Sequence, residues 1–317
     1  MLKPHCEDAA LLGSTQRIHR LTELWIHTGT ACNLNCAFCL EGSGPGDTRL
    51  ERVKLDELKP YFATAVQHGV ERFAFTGGEP LIIKDIVKIL EHALSLRPCL
   101  VLTNGTAPLI KRVHQLEQLR GRAHPLSFRI SIDHPDEQRH DAGRGLGNFR
   151  KAFTGMKLLH DLGFGVSLAR QMTETENSQE ITARFRSLLK KYGLPEDTLL
   201  TGLPEFGALG QTPCRTQGSI EDSTMGSNLN STLDSITGGT SQALMCAASR
   251  MIVKQGGSLR VYACPLVDDD PRFDLGGDLA EALQRDVPLL HHRCAGCLKY
   301  GTQLGGGNYA FGKCAVV

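Results

Sequence analysis

The sequence predicts an α/β chain in which a parallel sheet with helical crossovers closes into a partial or full barrel. Three observations carry that prediction. Short apolar runs alternate with amphipathic segments at regular spacing from Glu23 to Lys191. Polar or glycine-rich motifs follow directly on the strands, at the end of a barrel where chemistry sits. The 11 cysteines fall mainly into two groups, Cys32, Cys36 and Cys39 near the start and Cys246, Cys264, Cys294 and Cys297 near the end.

The elements follow in order. Glu23 to Thr30 (ELWIHTGT) alternates and reads as a strand, with the first cysteine group directly after it. Leu55 to His68 carries helical periodicity, and Glu71 to Phe75 reads as a short strand ending at Thr76-Gly77-Gly78-Glu79-Pro80. Ile82 to Ser95 is the next helix. Cys99 to Leu102 is a strand closed by Thr103-Asn104-Gly105. Leu109 to Leu119 follows as a helix, with Pro108 at a position suited to a helix start. Ser127 to Ile132 (SFRISI) is a strand followed by Asp133, and Asn148 to Leu162 is a helix. Gly165 to Gln171 is a strand, and Ile181 to Lys191 a helix. Two further strand-like runs, Arg250 to Lys254 and Leu259 to Ala263, flank Gln255-Gly256-Gly257 and predict a hairpin.

Four segments result. Residues 1–20 are a polar lead-in, 21–206 the barrel core, 207–243 a Ser/Thr/Gly-rich linker or lid, and 244–317 a smaller unit built around the hairpin. Hydrophobic residues make up 41%, enough for a full core. Lys plus Arg is 35 and Asp plus Glu is 34, so the net charge of +1 argues against a partner such as nucleic acid, bound by neutralising many phosphates. No run reaches the length of a membrane span, and the start does not read as a signal peptide, so a cytoplasmic location is expected. Thiols stay reduced there, which favours metal binding or catalysis over crosslinks. Cys99, inside an apolar strand, reads as a small buried side chain.

Cys32-Asn33-Leu34-Asn35-Cys36-Ala37-Phe38-Cys39 is C-x3-C-x2-C. Three thiolates on one loop hold three irons of a cubane cluster and leave the fourth iron open to an outside ligand. The competing reading is a tetrahedral zinc site with His27 as fourth ligand. In the second group, the hairpin brings Cys246 and Cys264 together, and Cys294-Ala295-Gly296-Cys297 supplies a second pair on a tight turn. Four thiolates saturate a cluster.

With C-x3-C-x2-C after the first strand and Gly-Gly-Glu-Pro after the second, the chain resembles the radical S-adenosylmethionine (SAM) superfamily, most strongly over Glu23 to Thr173. The resemblance implies a partial (β/α)6 TIM-like barrel. It implies a 4Fe-4S cluster on Cys32, Cys36 and Cys39 whose open iron binds the amino and carboxylate groups of SAM. One electron then yields a 5′-deoxyadenosyl radical that abstracts a substrate hydrogen atom. Gly77 and Gly78 are expected to let backbone approach the ligand, and Glu79 and nearby carbonyls to accept from the SAM ammonium group. Phe38 is similar to an aromatic beside adenine. Ser131 matches a SAM-contacting position, with Asp133 a second candidate. Arg144 and Arg170 are candidates for the SAM carboxylate, as guanidinium grips carboxylate in a fork.

The second group, C-x17-C and then C-x2-C, resembles the twitch domain, a shortened relative of the SPASM domain. No cysteine lies between Leu298 and Phe311, so one auxiliary 4Fe-4S cluster is expected, with Cys314 able to replace a ligand. A saturated cluster suits electron transfer. The spacing resembles dehydrogenases acting on small aminocyclitol alcohols, which makes a small-molecule oxidoreductase the first expectation. Ribosomal-peptide maturases are the alternative. The GTP cyclase of molybdenum-cofactor synthesis carries an Arg where this chain has Ala74, and that reading is set aside. Cys214, in the Ser/Thr/Gly-rich stretch, is a candidate hydrogen-atom donor. A flavodoxin- or ferredoxin-type reductant is the implied partner. The rivals from other classes are a zinc-binding module without catalysis and a ferredoxin-type carrier.

Overall fold

The computed structural model describes residues 14–173, 176–203 and 244–300. Cys6, Cys214, Cys314 and the whole 207–243 stretch lie outside the described residues. In chain order the elements are β1 (Thr15–Gln16), β2 (Glu23–His27), α1 (Leu55–Gln67), β3 (Arg72–Thr76), α2 (Ile86–Leu94), β4 (Cys99–Thr103), α3 (Ala107–Glu117) and β5 (Leu126–Ser131). They continue with α4 (Glu137–Arg144), α5 (Asn148–Asp161), β6 (Gly165–Gln171), α6 (Ser178–Lys191) and β7 (Leu200–Leu203). The last part holds β8 (Ser249–Gln255), β9 (Ser258–Tyr262), α7 (Leu279–Ala282), β10 (Val287–Pro288) and α8 (His292–Tyr300).

One sheet of eight strands runs in the order β7-β6-β5-β4-β3-β2-β8-β9. From β2 to β7 each strand lies beside the next in sequence, and all pair in parallel. Every crossover therefore steps the same way, which winds a barrel wall rather than a doubly wound sheet. Among the described residues the end strands, β7 and β9, do not pair with each other, which makes the barrel partial.

The core explains the strand readings. Leu24, Ile26, Phe73, Phe75, Leu100, Val101, Phe128, Ile130 and Leu168 are all buried, as strands covered on both faces require. Helix α2 turns Ile86, Ile89, Leu90, Ala93 and Leu94 inward, at the spacing of one helical face. Each large apolar side chain buried this way contributes about 1.5–3 kcal/mol.

Four features differ from the sequence expectations. Helix α4 is too polar to carry an apolar stripe and was not anticipated. It is held instead by Asp136, whose side chain accepts from the Arg139 N–H at its start, and by Asp141, which accepts from the N–H groups of Gly147 and Phe149. The short strand β7 is also new and pairs with β6. Cys294 and Cys297 lie one turn apart on helix α8, not on a tight turn, so both face the same side. The predicted hairpin forms as β8–β9, and β8 pairs in parallel with β2, extending the barrel sheet and covering an edge that β2 would otherwise expose.

Candidate active site

The cysteine loop leaves the C-terminal end of β2. It is latched to the neighbouring strand ends through backbone and side chain. Cys32 N–H donates to the Gly44 carbonyl, and Asn104, just past β4, donates from its side chain to Asn33 Oδ1 at 2.9 Å and reaches Cys32 Sγ at 3.9 Å. Asn33 in turn donates to Thr106 Oγ1 at 3.0 Å. The Thr103-Asn104-Gly105-Thr106 turn thus positions the loop, a role the sequence signalled only by its polar residues at a strand end.

Cys32, Cys36 and Cys39 line a cavity of about 380 Å³. The same cavity takes in Phe38, Gly77, Gly78, Ser131, Asp133, Arg144 and Arg170, so the structure brings together all but one of the predicted SAM-binding residues. The exception is Glu79. Its carboxylate is buried and accepts from Leu81 N–H at 3.1 Å, Thr103 Oγ1 at 2.8 Å and Asn104 N–H at 2.8 Å. Burial pushes its pKa up, and these donors oppose the rise. Both oxygens accept from the chain, so Glu79 ties the β3 and β4 ends together, and it is not among the residues that line the cavity.

The two glycines are also explained differently. Gly78 N–H donates to the Gly29 carbonyl at 2.9 Å, and Glu79 N–H to the Ala31 carbonyl at 3.0 Å. A Cβ on Gly77 would lie 2.8 Å from the Gly29 carbonyl oxygen, and one on Gly78 would run into the Ala31 carbonyl. Gly77 also holds φ +128°. Their missing side chains let the cysteine-bearing segment pass against this turn. The requirement comes from the protein's own packing, while their backbone still faces the cavity.

Both arginines carry internal partners. Asp133 receives a forked pair from Arg144, with Nη2 to Oδ1 at 3.0 Å and Nε to Oδ2. Arg144 also lies 5.4 Å from the Phe38 ring centroid. Phe38 itself packs where a Cβ on Gly143 would stand. Arg170 is buried, pairs with Glu176 and reaches Ser178 Oγ at 3.3 Å. Both arginines thus line the cavity while holding carboxylate partners of their own. Asp133 fixes Arg144 beside the cysteines. Burial raises the Cys36 thiol pKa, and the Arg144 charge opposes it. Burial pushes the Cys32 thiol up to about 11. Arg129, buried in the middle of β5, also lines the cavity and was not anticipated.

His27 does not join the cysteines, which removes it as a fourth ligand there. Its Nδ1 accepts from Gly29 N–H at 3.1 Å, so Nε2 carries the proton and faces Glu41 Oε2 at 3.2 Å and Asp268 Oδ2 at 3.8 Å. Burial works to lower the His27 pKa, but Glu41 and Asp268 outweigh it and raise it. This trio links the cysteine loop to the segment after Cys264.

The second thiol set is closed. Cys246 sits in a short 3-10 turn, Cys264 follows β9, and Cys294 and Cys297 come from α8. Cys246, Cys264 and Cys297 are buried, and Cys294 is half-buried. Burial, and then the neighbouring thiols, push Cys246 up to about 12, while burial pushes Cys294 up to about 11. None of the four lines the cavity, but Met245 and Pro265, each next to one of them, do. Among the described residues, no three thiol sulfurs of either set lie within 4.8 Å of one another. A single tetrahedral zinc with Zn–S near 2.3 Å would hold its sulfurs about 3.8 Å apart. Both donor sets are all thiol, as the ligands of an iron–sulfur cluster are.

Comparison with known proteins agrees. The model of the Radical SAM superfamily matches residues 26–186, which is 161 of 317 residues and just over half of the chain. The GTP 3′,8-cyclase of Listeria welshimeri is 28% identical over 155 residues, covering 48% of this chain and 45% of the relative. That of Cronobacter sakazakii is 30% identical over 138 residues, covering 42% of this chain and 40% of the relative. The match thus spans less than half the length of these curated relatives. The solved structure of Streptococcus suis SuiB superposes with a TM-score of 0.61 at 14% identity, covering 84% of this chain and 66% of SuiB. The SAM-bound structure of anSMEcpe superposes with a TM-score of 0.56 at 17% identity, covering 84% of this chain and 78% of that one. At these identities the two structures speak for the fold alone. Among the described residues, no helix is long and apolar enough to cross a membrane. The cysteine loop, the glycine turn beside it and the parallel barrel that joins them have one shared origin: the chain belongs to the Radical SAM superfamily.

Proposed function

We propose that this chain is a radical SAM oxidoreductase with an auxiliary 4Fe-4S cluster that accepts an electron from a small-molecule substrate radical. The observation that carries the reading is the shared cavity. It is lined by Cys32, Cys36 and Cys39 on one side and by Met245 and Pro265, next to auxiliary cysteines, on another.

Cys32, Cys36 and Cys39 are the ligands of the SAM-binding cluster in this reading, and Cys246, Cys264, Cys294 and Cys297 those of the auxiliary one. When bound, the first cluster and SAM supply a 5′-deoxyadenosyl radical, a carbon-centred oxidant. The chain's own residues do the rest. Gly77 and Gly78 offer backbone groups at the cavity wall, and Ser131 offers a hydroxyl. Asp133 orients Arg144, whose charge lies near the thiolates and steadies them. The Phe38 ring gives an apolar face for a purine. Leu203, Met245 and Leu266 add apolar surface to the cavity wall, which suits a site for a reactive radical. Four thiolates would leave no iron of the auxiliary cluster open to substrate, so that site is read as one that moves electrons and does not chelate.

A second reading, a peptide maturase, draws on the solved structure of SuiB bound to the precursor peptide SuiA, which covers 84% of this chain with a TM-score of 0.60. Cys214 would then be the candidate hydrogen-atom donor, and Cys214→Ala would abolish product while sparing SAM cleavage. The reductant in either reading is a flavodoxin- or ferredoxin-type protein.

The test is anaerobic reconstitution followed by reduction in the presence of SAM. The expected result is 5′-deoxyadenosine, with about eight irons per chain for two cubanes. Two zincs and no 5′-deoxyadenosine would overturn the proposal in favour of a zinc-binding module.

A further inference from the structure

We propose that Arg250 is the buried counter-cation of the auxiliary cluster and sets its reduction potential, a positioning role that rests on the auxiliary-cluster reading above.

Arg250 lies in β8, four residues after Cys246, and is among the largest fully buried side chains. Its Nη1 donates to the Cys246 carbonyl at 2.6 Å, to the Ser249 carbonyl at 2.8 Å and to the Ala263 carbonyl at 3.4 Å. Ala263 directly precedes Cys264. The guanidinium is thus pinned by backbone between the segments that carry two auxiliary thiols. It spans the hairpin at its open end, where β8 and β9 bring those segments together.

The remaining donors are the informative ones. Nε and Nη2 are both buried and have no hydrogen-bond partner among the described residues. No carboxylate among the described residues pairs with Arg250, and the charges that act on it are those of Cys246 and Cys264. A buried guanidinium always carries its proton, and burying it without a counter-charge is strongly unfavourable. Protein interiors resolve this by pairing buried charge. Among the described residues, the anions within reach are the thiolates that these cysteines become on binding iron.

Arg129 and Arg293 show that burial alone does not single out Arg250. Arg293 is also buried but pairs with Asp269 at 3.0 Å, and Arg129 lines the first cavity. Arg293 also neighbours an auxiliary thiol, Cys294, but holds a carboxylate; Arg250 joins backbone anchoring between two auxiliary thiol segments with two buried donors left over.

The electrostatic consequence follows. A 4Fe-4S cluster with four thiolates is a net anion, and reduction adds one more negative charge. A fixed cation in a dry site favours the more negative state, and N–H donors to cluster sulfur act in the same direction. Arg250 therefore raises the potential of the auxiliary cluster and makes it a better electron acceptor. That is the property an acceptor for a substrate-derived electron needs.

The test uses the full chain with Cys32, Cys36 and Cys39 replaced by Ala, so that only the auxiliary site takes up iron. It is reconstituted anaerobically and titrated with reductant while the paramagnetic signal is followed. In this background Arg250→Met is expected to bind about four irons. Its ratio of reduced to oxidised cluster at fixed potential should fall at least tenfold, a shift of about 59 mV downward for a one-electron couple. Arg250→Lys, which keeps the charge without the fork, should fall between the two. If the Met variant does not retain iron, Arg250→Gln carries the same expectation. Iron bound as in the parent with an unchanged midpoint in the neutral variants would overturn the role of Arg250. No iron in the three-cysteine background with Arg250 intact would overturn the auxiliary-cluster reading instead.

Discussion

Cys32, Cys36 and Cys39 sit on a single loop, each partly exposed and lining the cavity. Cys246, Cys264, Cys294 and Cys297 come from three separate elements and lie off the cavity, three of them buried. A loop can offer three thiols to one side and still leave the other side open. Four thiols drawn from a turn, a strand end and a helix face enclose whatever they bind. In the proposed reading the same side chain builds an open site where a ligand enters and a closed one where only charge passes. The neighbouring cations follow the division. Arg144 stands at the open loop with a carboxylate partner of its own, while Arg250 stands at the closed set with none among the described residues.

Several substitutions break or sharpen that contrast. The largest effect is expected at the open loop. Cys36→Ser should lower 5′-deoxyadenosine formation by more than about 100-fold, beyond what losing an outer partner of a metal ligand produces. Product analysis after anaerobic reduction with SAM measures it, and near-normal formation would contradict an open site at these thiols.

Proton release comes next. Burial pushes Cys32 up to about 11 and Cys246 up to about 12, so these two are neutral thiols near neutral pH before iron binds. Iron needs thiolates, so each ligand gives up a proton and affinity falls as pH falls. Below pH 9.0, the ordinary thiol value, the dependence on pH should be steeper for the four-thiol set than for the three-thiol set. Chelator competition on variants that keep one set or the other reads the two slopes directly. Equal slopes would contradict the ligand assignment.

Cys264→Ala should then halve the iron, from about eight to about four, while SAM cleavage persists and its coupling to product falls. Loss of SAM cleavage with the first set fully loaded would put the two sites in one unit.

The smallest effects concern the turn that holds the open loop in place. Gly78→Ala forces a Cβ into the Ala31 carbonyl and should destabilise the fold by about 1–3 kcal/mol. Gly256→Ala, in the β8–β9 turn with nothing within 4 Å, meets only the strain of its φ of +58° and should lose less. Glu79→Gln turns an acceptor toward donors and should lose about 1–3 kcal/mol. Thermal unfolding of the iron-free variants ranks them.

Much of this was legible in the sequence because it is periodic or spaced. Strands β2 to β6 are apolar runs between turn residues, and the ligand cysteines stand out by their spacing. What escaped lacks such a signal. Helix α4 has no apolar stripe; Asp136 caps its start, and Asp141 within it ties it to the start of α5. The pairing of β8 with β2 joins residues more than two hundred positions apart, and no local pattern encodes it. The packing partners of Glu79 carry no local signal, since a carboxylate beside a glycine turn reads in sequence only as a candidate ligand contact. Only the three-dimensional arrangement shows that Leu81, Thr103 and Asn104 already occupy it. Arg250 reads in sequence as one polar residue in a strand, and its meaning depends on what the fold closes around it.

The most direct test of an open and a closed site is paramagnetic resonance of the two clusters taken singly, with and without SAM. The account predicts that SAM shifts the spectrum of the cluster on Cys32, Cys36 and Cys39 in a chain lacking the auxiliary ligands. It predicts no shift for the cluster on Cys246, Cys264, Cys294 and Cys297 in a chain lacking the first set. A SAM-dependent shift in the second, or none in the first, would contradict it.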